Sequence, residues 1–225
     1  MNQSTNTVTH RGTSEAVFAT NRVIRNTYIL LSMTLLFSAL TAGLSMAYNI
    51  PHPGLLITFV GYFGLLFLVQ MLRNSVWGIV SVFGLTGFMG LTLGPILNLY
   101  VSHFANGTQL VMTALGGTGA IFVGLSAYAL STKKDFSFMA GFLFTGILVA
   151  FLAGIGAAIF ALPTLSLVVS AMFVLLMSGL ILYQTSAMIH GGETNYILAT
   201  VTLYVSIYNL FTTLLHLLAM FSGRD

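Results

Sequence analysis

Seven long apolar stretches, separated by short polar turns, fill most of the chain. A helix needs about 20 residues to cross a hydrocarbon layer about 30 Å thick, and each stretch reaches or exceeds that length. Backbone polar groups in lipid must pair within their own segment, which favours helices. The pattern therefore predicts an all-α integral membrane protein with seven transmembrane helices. The stretches are Tyr28–Tyr48, Pro53–Leu72, Val76–Tyr100, Thr108–Ser131, Phe136–Leu162, Pro163–Ile189 and Tyr196–Phe221.

The fifth and sixth stretches are continuous in hydropathy and are divided at a single proline. One helix across both would be implausibly long, and proline is favoured in the first turn of a helix. We therefore place the boundary between Leu162 and Pro163.

The seventh stretch carries polar and small residues at alternating steps of four and three, which define one face of a helix. Polar groups facing lipid cost free energy unless they are partnered, so this face is expected to point into the bundle. The last helix should then lie centrally among the other six. Two roles stay open for this polar stripe: helix packing through hydrogen bonds, or a path accessible to water and ions. Its members are Asn195, Ala199, Thr202, Ser206, Asn209, Thr213 and His216.

The third stretch carries a second periodic face, made of glycine. Small residues on one face let helices approach closely in lipid. Pro95 follows the last of these glycines and should bend or loosen the helix, freeing a carbonyl that Asn98 is placed to satisfy. The segment is either a tightly packed, kinked helix or a mobile gate. The four glycines are Gly84, Gly87, Gly90 and Gly94.

Composition excludes a soluble protein. The chain has 225 residues, of which 57% are hydrophobic and 5% are charged. Soluble domains carry about 25% charged residues because their surface must be hydrated. Cysteine is absent, which excludes disulfides and thiolate metal ligands.

The basic residues predict the orientation, because short cytoplasmic loops are enriched in Lys and Arg. A cytoplasmic N-terminus gives the inside six of these residues and the outside only Arg224. We expect residues 1–27 to form a polar cytoplasmic tail, residues 28–222 the bundle, and residues 223–225 a short outer C-terminus. The first stretch is longer than a signal-peptide core, so we expect it to be retained. The six inner residues are Arg11, Arg22, Arg25, Arg73, Lys133 and Lys134.

The segment His190–Ile197, HGGETNYI, is predicted to be the cytoplasmic turn before the seventh helix. Glu193 is one of four carboxylate side chains in the chain. A carboxylate near a helix N-terminus is favoured by the helix dipole, so a structural role explains Glu193 without a catalytic one. A contact with a cytoplasmic partner is the alternative.

No pattern in the chain indicates catalysis. His216 is the only histidine expected within the membrane, and the metalloprotease motif HExxH is missing. Ser45 and Ser126 lack the GxSG context of an intramembrane serine protease. We expect no catalytic residue, no metal site, no cofactor and no nucleic-acid partner.

Three motifs, GFMGLTLGPIL, LYQTSAMI and LYVSIYNLF, occur in this order. Together they resemble the Bax inhibitor-1 family, and the resemblance extends over nearly the whole chain after the tail. The segments beginning NRVIRNTYILL and HGGETNYI are similar to its bacterial branch. The resemblance implies a multi-pass inner-membrane protein with its last helix surrounded by the other six. It further implies an FtsH-type membrane-anchored AAA+ protease as partner, with this chain as inhibitor or competing substrate in membrane-protein quality control.

Other members of that family carry one aspartate in the sixth helix and one in the seventh, a pair linked to pH-dependent calcium leak. The matching positions here are Gln184 and Ser206, so both acids are absent. Asn195, in the turn, lies midway between Gln184 and Ser206 in the sequence. The two side chains are therefore expected at similar depth on antiparallel helices, where they could hydrogen-bond but not titrate. A calcium or proton leak along the seventh helix, from Thr202 to Thr213, is the alternative function.

Overall fold

The computed structural model describes the backbone of residues 4–223 and the side chains of residues 18–223. Seven α-helices in this part of the chain are long and apolar enough to cross a membrane, which confirms the seven-helix prediction. A short 3-10 turn, Ser137–Met139, precedes the fifth. The helices are α1 Ser4–Ala47, α2 Leu55–Leu72, α3 Val76–His103, α4 Gly107–Thr132, α5 Ala140–Ile159, α6 Pro163–Ile189 and α7 Tyr196–Ser222.

Most helix bounds lie within a few residues of the apolar stretches, and α6 begins at Pro163 as predicted. The largest difference is at α1, which begins at Ser4 and whose membrane-compatible part begins at Phe18 rather than Tyr28. Val23 and Ile24 are half-buried and pack against the core. The packed bundle therefore begins before residue 28, and no helix end marks the expected division between tail and bundle at residue 27.

Helix α7 occupies the centre of the bundle. It packs against α1, α2, α3, α4 and α6. The exception among the described helices is α5, which packs on α6 and on the 3-10 turn and does not reach α7. Tyr204, Leu203 and Leu210 of α7 are almost fully buried and form part of the main core. The last helix is thus central, but five helices surround it rather than six.

The contact between α1 and α3 depends on glycine. A methyl group on Gly90 would collide with the carbonyl of Ser38 and the hydroxyl of Thr41. On Gly94 it would lie 2.9 Å from the carbonyl of Ala42. Such contacts let two backbones approach closely, which is a principal source of helix association in lipid.

The other two glycines of this face differ in their surroundings. Gly87 faces the ring of Phe37, whose Cε1 atom would lie 2.7 Å from an added methyl group. Gly84 turns towards α2 and has only Leu65 nearby, at 3.8 Å. Close packing on α1 therefore involves three of the four glycines.

Candidate functional site

The turn HGGETNYI ends α6 and starts α7 through local hydrogen bonds. Gly191 has a φ of +76°, a left-handed conformation that ends helices and suits glycine. The N–H groups of Gly192 and Glu193 donate to the carbonyl of Ala187, at 2.8 and 3.1 Å. The carboxylate of Glu193 accepts the N–H of Asn195 at 2.8 Å. The carboxylate therefore orders the turn itself.

Asn195 caps α7 and ties it to the α2–α3 turn. Its Oδ1 atom accepts the N–H groups of Ile197 and Leu198, at 3.0 and 3.1 Å. Its Nδ2 atom donates to the carbonyl of Arg73 and to Oδ1 of Asn74, each at 3.0 Å. The Asn195 side chain thus accepts two of the free N–H groups at the start of α7 and holds the α2–α3 turn against this helix.

Ser186 attaches the α4–α5 connection to the end of α6. Its hydroxyl accepts the N–H of Phe136 and donates to the carbonyl of Lys134, each at 3.0 Å. Next to it, Asp135 accepts the N–H of Ser137 at 2.8 Å. That backbone hydrogen bond holds the pKa of Asp135 below its usual value, and the nearby His190 acts in the same direction.

These contacts bring all three turns to one end of the bundle, which we call the charged end. Every Lys, Arg, Asp and Glu between residues 18 and 223 lies there, five of them basic and two acidic. The opposite end carries no such side chain within the same residues. The seven are Arg22, Arg25, Arg73, Lys133, Lys134, Asp135 and Glu193.

The polar stripe of α7 makes most of its hydrogen bonds within its own helix. The hydroxyl of Ser206 donates to the carbonyl of Thr202 at 2.7 Å. The amide of Asn209 donates to the carbonyl of Val205 at 2.9 Å, and the hydroxyl of Thr213 donates to that of Asn209 at 2.6 Å. Such i−4 bonds satisfy polar groups inside a membrane helix without water, ion or partner.

His216, the last member of the stripe, connects three helices near the uncharged end. Its Nδ1 atom lies 3.3 Å from the hydroxyl of Tyr100 in α3. Its Nε2 atom lies 3.1 Å from the hydroxyl of Ser166 in α6. Both ring nitrogens therefore have a hydroxyl partner.

Gln184 and Ser206 are both buried. The hydrogen bond that the sequence allowed between them does not form in the described residues, because the Ser206 hydroxyl is bonded to Thr202 and Nε2 of Gln184 has no partner. The next residue, Thr185, instead meets the hydroxyl of Tyr28 at 3.3 Å. Gln184 is thus a buried donor without an acceptor, which is costly in an apolar interior.

Pro95 lies within α3 and removes the N–H that would bond the Leu91 carbonyl. Ser45 of α1 donates to this carbonyl at 2.8 Å. The expectation that Asn98 would do so is wrong: its amide donates to the carbonyl of Met46 and to Asn49. Asn98 lies about one turn further along α3 and reaches the end of α1 instead.

Tyr204 is a second connection that the sequence did not reveal. Its hydroxyl lies 2.6 Å from the hydroxyl of Ser38 in α1 and donates to the carbonyl of Thr86 in α3, at 3.3 Å. Its exposed fraction is 1%. One tyrosine therefore joins α1 and α3 to the central helix. The only sequence signal is its place in the motif LYVSIYNLF, between Thr202 and Ser206 of the stripe but on the opposite face of the helix.

These features define a polytopic α-helical membrane protein whose last helix lies inside the bundle and begins at its charged end. The chain belongs to the Bax inhibitor-1 family: the family model described as inhibitor of apoptosis-promoting Bax1 matches residues 20–223. This confirms the resemblance recognised from the motifs.

Several bacterial relatives match over nearly their whole length. A protein of Escherichia coli K12 named modulator of FtsH protease YccA is 50% identical over 210 residues, or 93% of this chain and 94% of its own. An uncharacterised protein of Pseudomonas aeruginosa is 51% identical over 203 residues, or 90% and 91% of the two chains. An uncharacterised membrane protein of Vibrio cholerae is 42% identical over 218 residues, or 96% and 97%.

Proposed function

We propose that this chain is a non-catalytic modulator of FtsH-type proteolysis in a bacterial inner membrane, acting as an inhibitor or competing substrate. The observation that carries the proposal is the full-length similarity to a protein named modulator of FtsH protease, at 50% identity. A second 50% identical relative, from Escherichia coli O6:H1, is named inner membrane protein YccA.

The charged end of the bundle supports the cytoplasmic orientation of the N-terminus. Short cytoplasmic loops are enriched in basic residues, and five of the seven charged side chains at this end are basic. In this orientation the start of α1 and the turn HGGETNYI face the compartment from which an AAA+ protease pulls. The C-terminus then lies in the periplasm.

A pulling protease that engages the N-terminal residues applies force directly to α1. Close contacts at Gly90 and Gly94 hold α1 against α3. Two hydrogen bonds add to this hold, one from Ser45 to α3 and one between Ser38 and Tyr204 of α7. A bundle that resists extraction at its first helix would occupy the protease and delay its other membrane substrates.

The decisive experiment measures degradation of a known FtsH membrane substrate in proteoliposomes with this protein absent, present, or present without residues 2–17. The deletion leaves Val23 and Ile24, which pack on the core. We expect slower substrate degradation with the full chain and no effect with the truncated one. Equal degradation in all three samples would overturn the proposal.

A second arm tests whether resistance to extraction matters. Gly90→Leu should disrupt the α1–α3 contact, so the variant should itself be degraded faster and inhibit less. Gly119→Leu is the matched control, because nothing lies within 4 Å of a methyl group at Gly119. If both variants inhibit as the wild type does, bundle stability has no part in the effect.

The alternative is a calcium or proton leak along α7. Two observations weigh against it: Gln184 and Ser206 carry no charge, and the donors of Ser206, Asn209 and Thr213 are used within α7. Vesicles containing the protein should show no calcium or proton flux across a range of pH. A flux that Asn209→Leu abolishes would replace the modulator proposal with the leak.

A further inference from the structure

A cavity of about 580 Å³ lies between α2 and α5 at the side of the bundle. It exists because these two helices pack on different neighbours: α2 on α3 and, more weakly, on α7, and α5 on α6. Their backbones do not meet in the described residues. The gap is crossed instead by the rings of Phe59 and Phe151, whose centroids are 6.2 Å apart.

The cavity opens towards lipid and ends at the core. Phe59 and Leu148, on its rim, are 45% and 49% exposed on the membrane-facing surface. Met89 and Met177 lie at its floor and are 5% and 3% exposed. An opening of this kind connects the hydrocarbon of the bilayer with side chains that are otherwise buried.

The floor lies at the middle of the membrane. Met89 is near the middle of α3, Met177 near the middle of α6, and Asn209 at the middle of α7. A lipid headgroup stays at the interface, because moving charged groups into hydrocarbon is costly. Only the apolar part of a membrane lipid reaches this depth.

The lining selects an apolar occupant. Twelve of the lining residues are apolar. The donors of three of the polar ones, Thr58, Thr92 and Asn209, already bond backbone carbonyls three or four residues earlier. The other two are Tyr62 and Tyr208. Most of the cavity wall therefore offers a water molecule none of the about 2–4 polar partners that it needs. A partner helix is about 10–12 Å across with its side chains, too wide for a gap that a single pair of rings spans. A flexible acyl chain is narrower and can lie beside the ring pair, and the volume lies within the roughly 300–1,000 Å³ of small-molecule sites.

We propose that this cavity binds one acyl chain of a bilayer phospholipid, which enters between α2 and α5 and lies against Met89 and Met177. The bound chain fills the space that α2 and α5 leave open and gives the inner face of α2 packing partners there. Dispersion contacts with the chain replace those that an empty cavity would lack.

The first test uses the full chain in vesicles of phosphatidylethanolamine and phosphatidylglycerol containing a phospholipid with a photoactivatable group near the end of one acyl chain. Labelled residues are mapped by mass spectrometry. We expect label on Met89 or Met177, and also on Met112, which is 65% exposed elsewhere on the lipid-facing surface. Leu203, at 0% exposed, gives the background. Label on Met112 with both floor residues at the Leu203 level would overturn the proposal.

A pair of variants provides the second test. Val205→Phe fills the cavity from α7 and should reduce floor labelling to background. Val123→Phe places the same group on an exposed position outside the cavity and should leave labelling unchanged. Equal floor labelling in both variants would contradict the proposal. If Val205→Phe does not fold, the wild-type pattern still decides, and neither result depends on the proposed protease modulation.

Discussion

The hydroxyl of Ser45 donates to the carbonyl of Leu91 at 2.8 Å and replaces the donor that Pro95 removes from α3. Gly94 makes this approach possible, because a methyl group there would collide with the Ser45 side chain. Leu91, Gly94 and Pro95 of α3 therefore act together with Ser45 of α1. Together they give the Leu91 carbonyl, inside the membrane, a hydrogen-bond donor from a neighbouring helix.

We expect Ser45→Ala to lower the free energy of unfolding by about 1–2 kcal/mol, because it leaves a buried carbonyl without a donor. Thermal or SDS-induced unfolding in detergent micelles measures the change. Ser32→Ala is the control: that exposed hydroxyl donates only within its own helix, to Tyr28. An equal loss of stability in Ser32→Ala would show that the effect of Ser45→Ala does not come from the contact between α1 and α3.

Pro95→Ala tests the same arrangement from the other side. The alanine N–H can bond the Leu91 carbonyl, so Ser45→Ala should cost less in the Pro95→Ala background than in the wild type. The difference between the two costs is the coupling energy of a double-mutant cycle. Equal costs in both backgrounds would mean that Ser45 contributes packing rather than a donor.

The glycine contact between α1 and α3 predicts a position-specific effect of alanine. Gly90→Ala should destabilise the protein by about 1–3 kcal/mol, because the methyl group meets backbone and a short side chain that have little room to move. Gly119→Ala, at an open and exposed position of α4, should be neutral or slightly stabilising, because alanine is the better helix former. Unfolding measured side by side decides, and similar stabilities would refute the close contact.

The sequence predicted the helices well because apolar length and turn chemistry are local properties. Pro163 marks the start of α6, and α7 lies inside the bundle as predicted. The polar stripe is not its most buried face: Asn209 is half-buried and lines the cavity that opens to lipid, while Leu203 and Leu210 are fully buried. The start of α1 was harder, since residues 18–27 are polar enough to suggest a tail. They continue the helix nonetheless, and Val23 and Ile24 reach the core.

The partners of individual side chains were not predictable, because they depend on how helices distant in sequence meet. The sequence indicates Asn98 as the donor at the kink and offers Ser45 only as a candidate nucleophile, while in the structure Ser45 is the donor. The cavity between α2 and α5 is likewise a property of packing. Nothing along the chain indicates that α5 would lie away from α7.

The two sets of hydrogen bonds made by Asn195 lead us to expect different results for two substitutions at this position. Asn195→Ala removes the cap of α7 and both bonds to the α2–α3 turn, and should cost about 1–2 kcal/mol. Asn195→Asp keeps the cap acceptor but loses the donors to Arg73 and Asn74, so its cost should be smaller. Glu193→Gln retains an oxygen acceptor for the Asn195 N–H and serves as control. Equal costs for alanine and aspartate would assign the whole effect to the tie with the α2–α3 turn.

Gln184 predicts an unusual outcome for a buried polar residue. Its Nε2 atom has no acceptor, so Gln184→Met should leave the free energy of unfolding unchanged or raise it, because an unpaired donor is removed with little change in shape. Thr185→Val is the matched control, since it deletes a hydroxyl that bonds Ile181 and meets Tyr28, and should lower stability. Unfolding in detergent and in lipid compares the two. A loss above about 1 kcal/mol in Gln184→Met would mean that the amide has a partner in the membrane, such as a bound water. That result would make Gln184, which stands where other family members carry an aspartate, a candidate binding residue.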